Sequence, residues 1–229
     1  MKIEVTDNTA YETEDIITAK DLVKSYRLGD GSDLTVLDHM NLSLPKGKLI
    51  MIMGRSGSGK TTLINVLSSL DTFNSGSVSL MGHEYSQMSD RDKELLRRYQ
   101  MGFVFQSVAL IPAMTACENI DFGLRTAGVK EGRKERIAEV LESVGLAERG
   151  NHYPVELSGG ERQRIAIARA MAHRPRVIFA DEPTGALDTE SGFHIADLFL
   201  ELAKKEQITI VMTTHDVRIS EMADEVIRL

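Results

Sequence analysis

Three short stretches hold the side chains that could do chemistry. "GRSGSGKTT", Gly54 to Thr62, places three glycines, two serines, a lysine and two threonines directly after the apolar run "LIMIM". Its first eight residues, Gly54, Arg55, Ser56, Gly57, Ser58, Gly59, Lys60 and Thr61, fit G-x-x-x-x-G-K-[ST] at every specified position. Glycines let the backbone curl with its N–H groups inward, and the helix expected to follow turns the positive end of its dipole toward the same point. Lys60 can then reach the β- and γ-phosphates and the Thr61 hydroxyl can ligate Mg²⁺, so the loop is read as a triphosphate holder. The second stretch, "VIFADEP", ends an apolar run in Asp181 followed at once by Glu182. Alone it reads as an acidic turn before Pro183. Beside a phosphate loop the two carboxylates divide the work, Asp181 toward Mg²⁺ and Glu182 toward the attacking water as general base.

The third stretch is "LSGGERQR", Leu157 to Arg164. Ser158 and Glu161 form a Ser-x-x-Glu capping box, which accounts for those two residues. It leaves Gly159 and Gly160 unexplained, since each glycine costs a helix about 1 kcal/mol relative to Ala. Glycines at a helix start make sense where a phosphate must approach the backbone closely. The chain therefore offers a second phosphate-binding surface.

The elements that must position these residues can be read from patterning. "IITAKDLVKSYR" and "LTVLDHMNLSL" read as strands around the turn "LGDGSD", and "KLIMIM" as a strand buried on both faces that feeds the loop and the helix "KTTLINVLSSL". "SVSLMG" and "MGFVFQ" are further strands, with a Ser89-capped helix between them. Thr115 opens a capping box for a helix that stops near Gly128, and Ile137, Val140, Leu141 and Val144 stripe a helix ending at Gly145. A long helix runs from Ser158 to about Ala172, and "RVIFAD" is a buried strand. The stripe Ile195, Leu198, Phe199 and Leu202 marks one more helix, before closing strands "ITIVMTTH" and "DEVIRL". Alternating strands and helices predict an α/β fold with a mostly parallel core sheet, an antiparallel β region near the N-terminus, and an inserted helical lobe at about 107–157. Residues 1–15 read as an acidic, flexible leader ahead of a domain spanning 16–229.

Composition narrows the function. The 229 residues carry a net charge of -7, and no Lys/Arg block is present, which argues against nucleic acid as a partner. The single Cys, Cys117, fits a reducing compartment. No apolar run reaches the roughly 20 residues needed to cross a bilayer and the first residues lack a signal-peptide core, so a cytoplasmic location is expected.

With these stretches in order, the sequence resembles the ATP-binding-cassette (ABC) ATPases from Ile16 to Leu229: the phosphate loop, Gln106 after "MGFVF", the LSGGE signature, "ADEP", "GALD" at Gly185 to Asp188, and His215 in "TTHD". The resemblance implies a head-to-tail homodimer with ATP and Mg²⁺ held between the phosphate loop of one copy and the signature of the other. It also assigns roles. Tyr26 would stack on adenine, and Thr62 would join the loop's phosphate contacts. Ser158, Gly159 and Gly160 would meet the partner's γ-phosphate, and Asp188 would communicate across the dimer. Gln106 would sense Mg²⁺ or the attacking water and couple to a membrane subunit, while His215 would contact the γ-phosphate.

Gly185 before Ala-Leu-Asp, with "RRYQMGFVFQSVALIPAMTACENI", is most similar to the MacB/LolD-type subfamily of macrolide exporters, lipoprotein-releasing and antimicrobial-peptide resistance ATPases. That similarity implies a subunit peripheral to the inner face of the plasma membrane, driving an integral membrane permease in export or mechanotransmission. Two features depart from the family pattern. Glu161 stands where Gln is frequent, and relatives commonly continue past Leu229 through a short turn and strand. The competing readings are a soluble ABC ATPase acting on DNA or ribosomes, which usually has long coiled-coil insertions or two cassettes, and a P-loop kinase, which needs no signature.

Overall fold

The computed structural model describes residues 15–229. The expected leader, except Asp15, lies outside the described residues; Asp15 itself begins the first strand. Two sheets organise the chain. In the first, β1 (Asp15–Arg27) pairs antiparallel with β2 (Asp33–Pro45) and with β4 (Ser75–Leu80), which pairs with the short β5 (His83–Glu84). The order is β2-β1-β4-β5.

The second sheet is wholly parallel, in the order β6-β7-β8-β3-β9. Its strands are β3 (Leu49–Met53), β6 (Met101–Phe105), β7 (Val177–Asp181), β8 (Thr209–Thr214) and β9 (Glu225–Arg228). All five residues of β3 are buried, as expected for a strand covered on both faces. Alternation along it sorts two cores. Leu49 and Met51 join Ile178, Met212 and Phe199 on one face, whereas Ile50 and Ile52 join Phe179, Val211 and Leu63 on the other.

Helices close both faces. α1 (Lys60–Leu67) packs against the side shared with β1, β2 and β4, and α2 (Asp90–Gln100) leads into β6. On the opposite face lie α3 (Ala116–Thr126), α4 (Arg133–Ser143), α5 (Gly159–Met171) and α6 (Thr189–Glu206), followed by the short α7 (Val217–Ser220). Thr115 caps α3 through the full Thr-x-x-Glu box, and Ser158 does the same for α5. Between 107 and 157 the structure holds α3, α4 and connecting turns, and their core is shared beyond that stretch: Ile120, Leu124, Val140 and Leu141 belong to one apolar cluster with Ile165 and Ala168 of α5. The striped positions explain this, since Ile120 and Leu124 need an apolar face to cover them and α5 supplies it.

Candidate active site

β3, β8, β7 and β6 are neighbours and run the same way, so the residues that follow them gather at one edge of the sheet. In such sheets ligands bind beyond the carboxyl ends of the strands. Gly54 follows β3, Glu182 follows β7, Gln106 follows β6 and His215 follows β8.

The loop after β3 has the local conformation its glycines predict. Gly57 and Gly59 have φ of 80° and 99°, a region that costs other residues about 1–2 kcal/mol. Gly59 is also pressed from β2, where a Cβ would stand 2.9 Å from Val36 Cγ1. The loop runs into α1, whose N-cap is Gly59 and makes no side-chain hydrogen bond, so the first N–H groups of the helix are left for a ligand. Lys60 is 5 % exposed, and its Nζ donates to the carbonyl oxygens of Gly54 at 3.0 Å and Arg55 at 3.1 Å. It lies 3.6 Å from Glu182 Oε1.

The acidic side is arranged by a residue that the sequence did not single out. The Thr213 hydroxyl, fully buried in β8, donates to Asp181 Oδ1 at 2.7 Å and accepts from the Glu182 N–H at 2.7 Å. Glu182 has φ of 44°, a left-handed backbone for a residue with a Cβ. Backbone strain of this kind, about 1–3 kcal/mol, persists only where the surroundings over-determine it; here the Thr213 hydroxyl holds the Glu182 N–H and the Gly185 N–H donates to Glu182 O at 3.0 Å. Thr213→Val is expected to lower ATP turnover about tenfold, since losing such a bond costs about 1–3 kcal/mol, while ATP affinity stays near wild type. Steady-state ATPase rates beside calorimetric binding check this, and unchanged turnover would refute it.

Lys60, Thr61, Gln106, Asp181 and Glu182 all line one cleft of about 310 Å³ with the loop glycines. The cleft fits the groups the sequence predicts. A triphosphate finds open space at Gly57, an uncapped helix start, a buried ammonium and the Ser58 Oγ, which is buried without a hydrogen-bond partner. For Mg²⁺ the donors are oxygens: Thr61 Oγ1 lies 3.3 Å from Asp181 Oδ1. Mg²⁺ takes a few protein oxygens and completes its shell with phosphate and water. Among the described residues no group of three or more His, Cys, Asp or Glu is arranged to hold a metal ion.

Other expected residues lie elsewhere. Tyr26 does not line the cleft. Its hydroxyl donates to Asp71 Oδ2 at 2.8 Å, and Lys24 Nζ, itself bonded to Asp71, covers one ring face at 4.7 Å from the centroid. His215 is solvent-exposed just past β8. Asp188 caps α6 by accepting from the Ser191 N–H, which holds its carboxyl below the usual range. Ser158, Gly159 and Gly160 open α5 away from the cleft. The Glu161 carboxylate accepts from the Ser158 N–H at 2.8 Å and from Arg149 Nε at 3.0 Å, and these bonds, the Ser158 backbone first, hold it well ionised.

A glycine loop between a buried parallel strand and a helix, faced by a strand-end Asp-Glu pair, defines a P-loop nucleotide triphosphatase. Comparison with known proteins narrows this class. The family model described as "ABC transporter" matches residues 37–185. The chain is 43 % identical over 215 residues to an uncharacterized ABC transporter ATP-binding protein of Methanocaldococcus jannaschii, covering 93 % of this chain and 95 % of that one. It is 44 % identical to the lipoprotein-releasing system ATP-binding protein LolD of Legionella pneumophila, covering 93 % and 94 %. Among solved structures it matches the dimeric bacterial ABC transporter cassette MJ0796, with a TM-score of 0.83 and 38 % identity over 93 % of this chain and 94 % of that one. A dimeric post-hydrolysis state of the same cassette, bound to ADP and Pi, matches with a TM-score of 0.82 and 36 % identity over the same shares. The chain belongs to the ABC transporter family as one of its ATP-binding cassettes, and its chemistry is ATP hydrolysis. The LolD relative agrees with the MacB/LolD-type resemblance.

Proposed function

We propose that the protein is the ATP-hydrolysing subunit of a transport or mechanotransmission complex, working as a homodimer that closes around two ATP. The carrying observation is the placement of the two glycine-bearing helix starts. Gly59 of α1 lines the cleft, whereas Gly159 and Gly160 of α5 do not. A second copy, turned head to tail, would bring its Ser158 and Gly160 to the γ-phosphate in the first copy's cleft. That MJ0796 forms dimers, one of them holding ADP and Pi, supports a dimeric assembly.

Each residue then has a role. The loop N–H groups and Lys60 bind and orient the phosphates, with Arg55 through Gly59 and Thr62 supplying the cradle. Thr61, Asp181 and Gln106 would hold Mg²⁺, which when bound would supply positive charge beside the phosphates. Glu182 takes the proton of the attacking water as it adds to the γ-phosphorus, and the leaving oxygen departs with ADP. His215 steadies the γ-phosphate, Tyr26 stacks its free ring face on adenine, and Asp188 faces the partner.

Among the described residues no helix is long and apolar enough to cross a membrane. In this reading the membrane step belongs to an integral permease, against whose cytoplasmic side the cassette would sit at the inner face of the plasma membrane; the likeness to an ATP-binding protein of a lipoprotein-releasing system supports it. Ser158→Arg tests the trans role of the signature. The monomer is expected to bind ATP as wild type does, while ATP-dependent dimerisation and turnover are lost. If monomer binding fails as well, the signature belongs to the chain's own cleft and the head-to-tail reading is wrong.

A further inference from the structure

Val108 and Ala109 are consecutive, and both have left-handed backbones, with φ of 63° and 48°. A Cβ in that region crowds the carbonyl oxygen, and the β-branched Val108 suits it least. Local bonds from the Val108 N–H to Phe105 O at 3.0 Å and from the Ala109 N–H to Ser107 O at 2.7 Å shape the turn. A side chain from another element fastens it. Arg169 Nη1 donates to Ala109 O at 2.7 Å and Nη2 to Val108 O at 3.4 Å.

This arginine is half-buried, and no carboxylate pairs with it among the described residues, so the two carbonyl oxygens are what its guanidinium meets. Gly123 of α3 leaves room for its stem: a Cβ there would stand 2.9 Å from Arg169 Cγ. Gln106, just ahead of the turn, is exposed, and its side chain lies against Gly185. Its Nε2 would lie 2.9 Å from a Cβ on Gly185. Arg169 belongs to α5, a 13-residue helix about 20 Å long that starts at Gly159.

We propose that Arg169 is a positioning residue for Gln106: its guanidinium fork fastens the left-handed turn after Gln106 to the helix that begins with the signature, so that both shift as one body. The inference rests on the roles given above to Gln106 and to the signature. It adds a physical link between the cleft of one copy and the surface that copy offers to the other.

Arg169→Lys is the test variant, because it keeps the charge and stem while a single ammonium cannot reproduce the planar two-carbonyl fork. ATPase kinetics, ATP affinity of the monomer and melting temperature are measured for Arg169→Lys, Gln106→Ala and the double variant. Arg169→Lys is expected to lower kcat about tenfold with KM and ATP affinity unchanged. The double variant is expected to be no slower than the slower single variant, because both changes remove one function. Losses that multiply, or a lower melting temperature with wild-type kcat, would overturn the link and reduce Arg169 to a packing role. Wild-type turnover in Gln106→Ala would instead overturn the role of Gln106, and the link with it.

Discussion

Replacing Glu182 by Gln is expected to lower ATP turnover by about two to four orders of magnitude, the usual contribution of a general base, while ATP still binds. The amide keeps the shape of the side chain and its place beside Lys60, 3.6 Å from Oε1 in the wild type, but it cannot accept a proton from water. The Thr213 bond survives the change because it is made to the Glu182 backbone N–H. Single-turnover hydrolysis by rapid quench separates the chemical step from product release. Retained wild-type turnover would remove Glu182 from the base role.

Lys60→Ala is expected to act on binding rather than on chemistry alone. Removing one partner of a buried charged contact costs about 2–5 kcal/mol, roughly 30-fold to several-thousand-fold in Kd. Lys60 meets this description: it is 5 % exposed, and its hydrogen bonds among the described residues go to the loop carbonyls of Gly54 and Arg55. It also lies 3.6 Å from Glu182 Oε1, and it lines the cleft that would take the phosphates. Calorimetric titration with ATP gives the comparison, and an unchanged Kd would contradict the reading of the loop.

Much of the cleft was legible in the sequence because its chemistry is local. Gly54 to Thr61 sit on one turn, so their spacing alone specifies which N–H groups converge. Asp181 and Glu182 are adjacent, and the apolar run before them places both at a strand end. Gln106 and His215 are proposed through the ordered company of motifs. Their own residue types say little, and the exposed His215 remains unremarkable in the fold.

What escaped the sequence acts across elements. Thr213 looks like any β-branched residue in "ITIVMTTH", and only the pairing of β7 with β8 puts its hydroxyl between the Asp181 carboxylate and the Glu182 N–H. Val36 is an ordinary strand residue until β2 is seen pressing on Gly59. Arg169 reads as one more charge on an amphipathic helix, and its target is a pair of strained carbonyls sixty residues upstream. Strand order was likewise hidden. Helices and long connections separate the five parallel strands, and nothing in their apolar composition states that β3 lies between β8 and β9.

The assembly state of the Glu182→Gln protein with and without ATP and Mg²⁺, measured by sedimentation together with a count of bound nucleotide, decides whether two copies share each ATP. A monomer is expected without nucleotide and a dimer holding two ATP with it, and adding Ser158→Arg is expected to return the dimer to ATP-bound monomers. A protein that fills with ATP yet stays monomeric at every concentration would contradict the composite site.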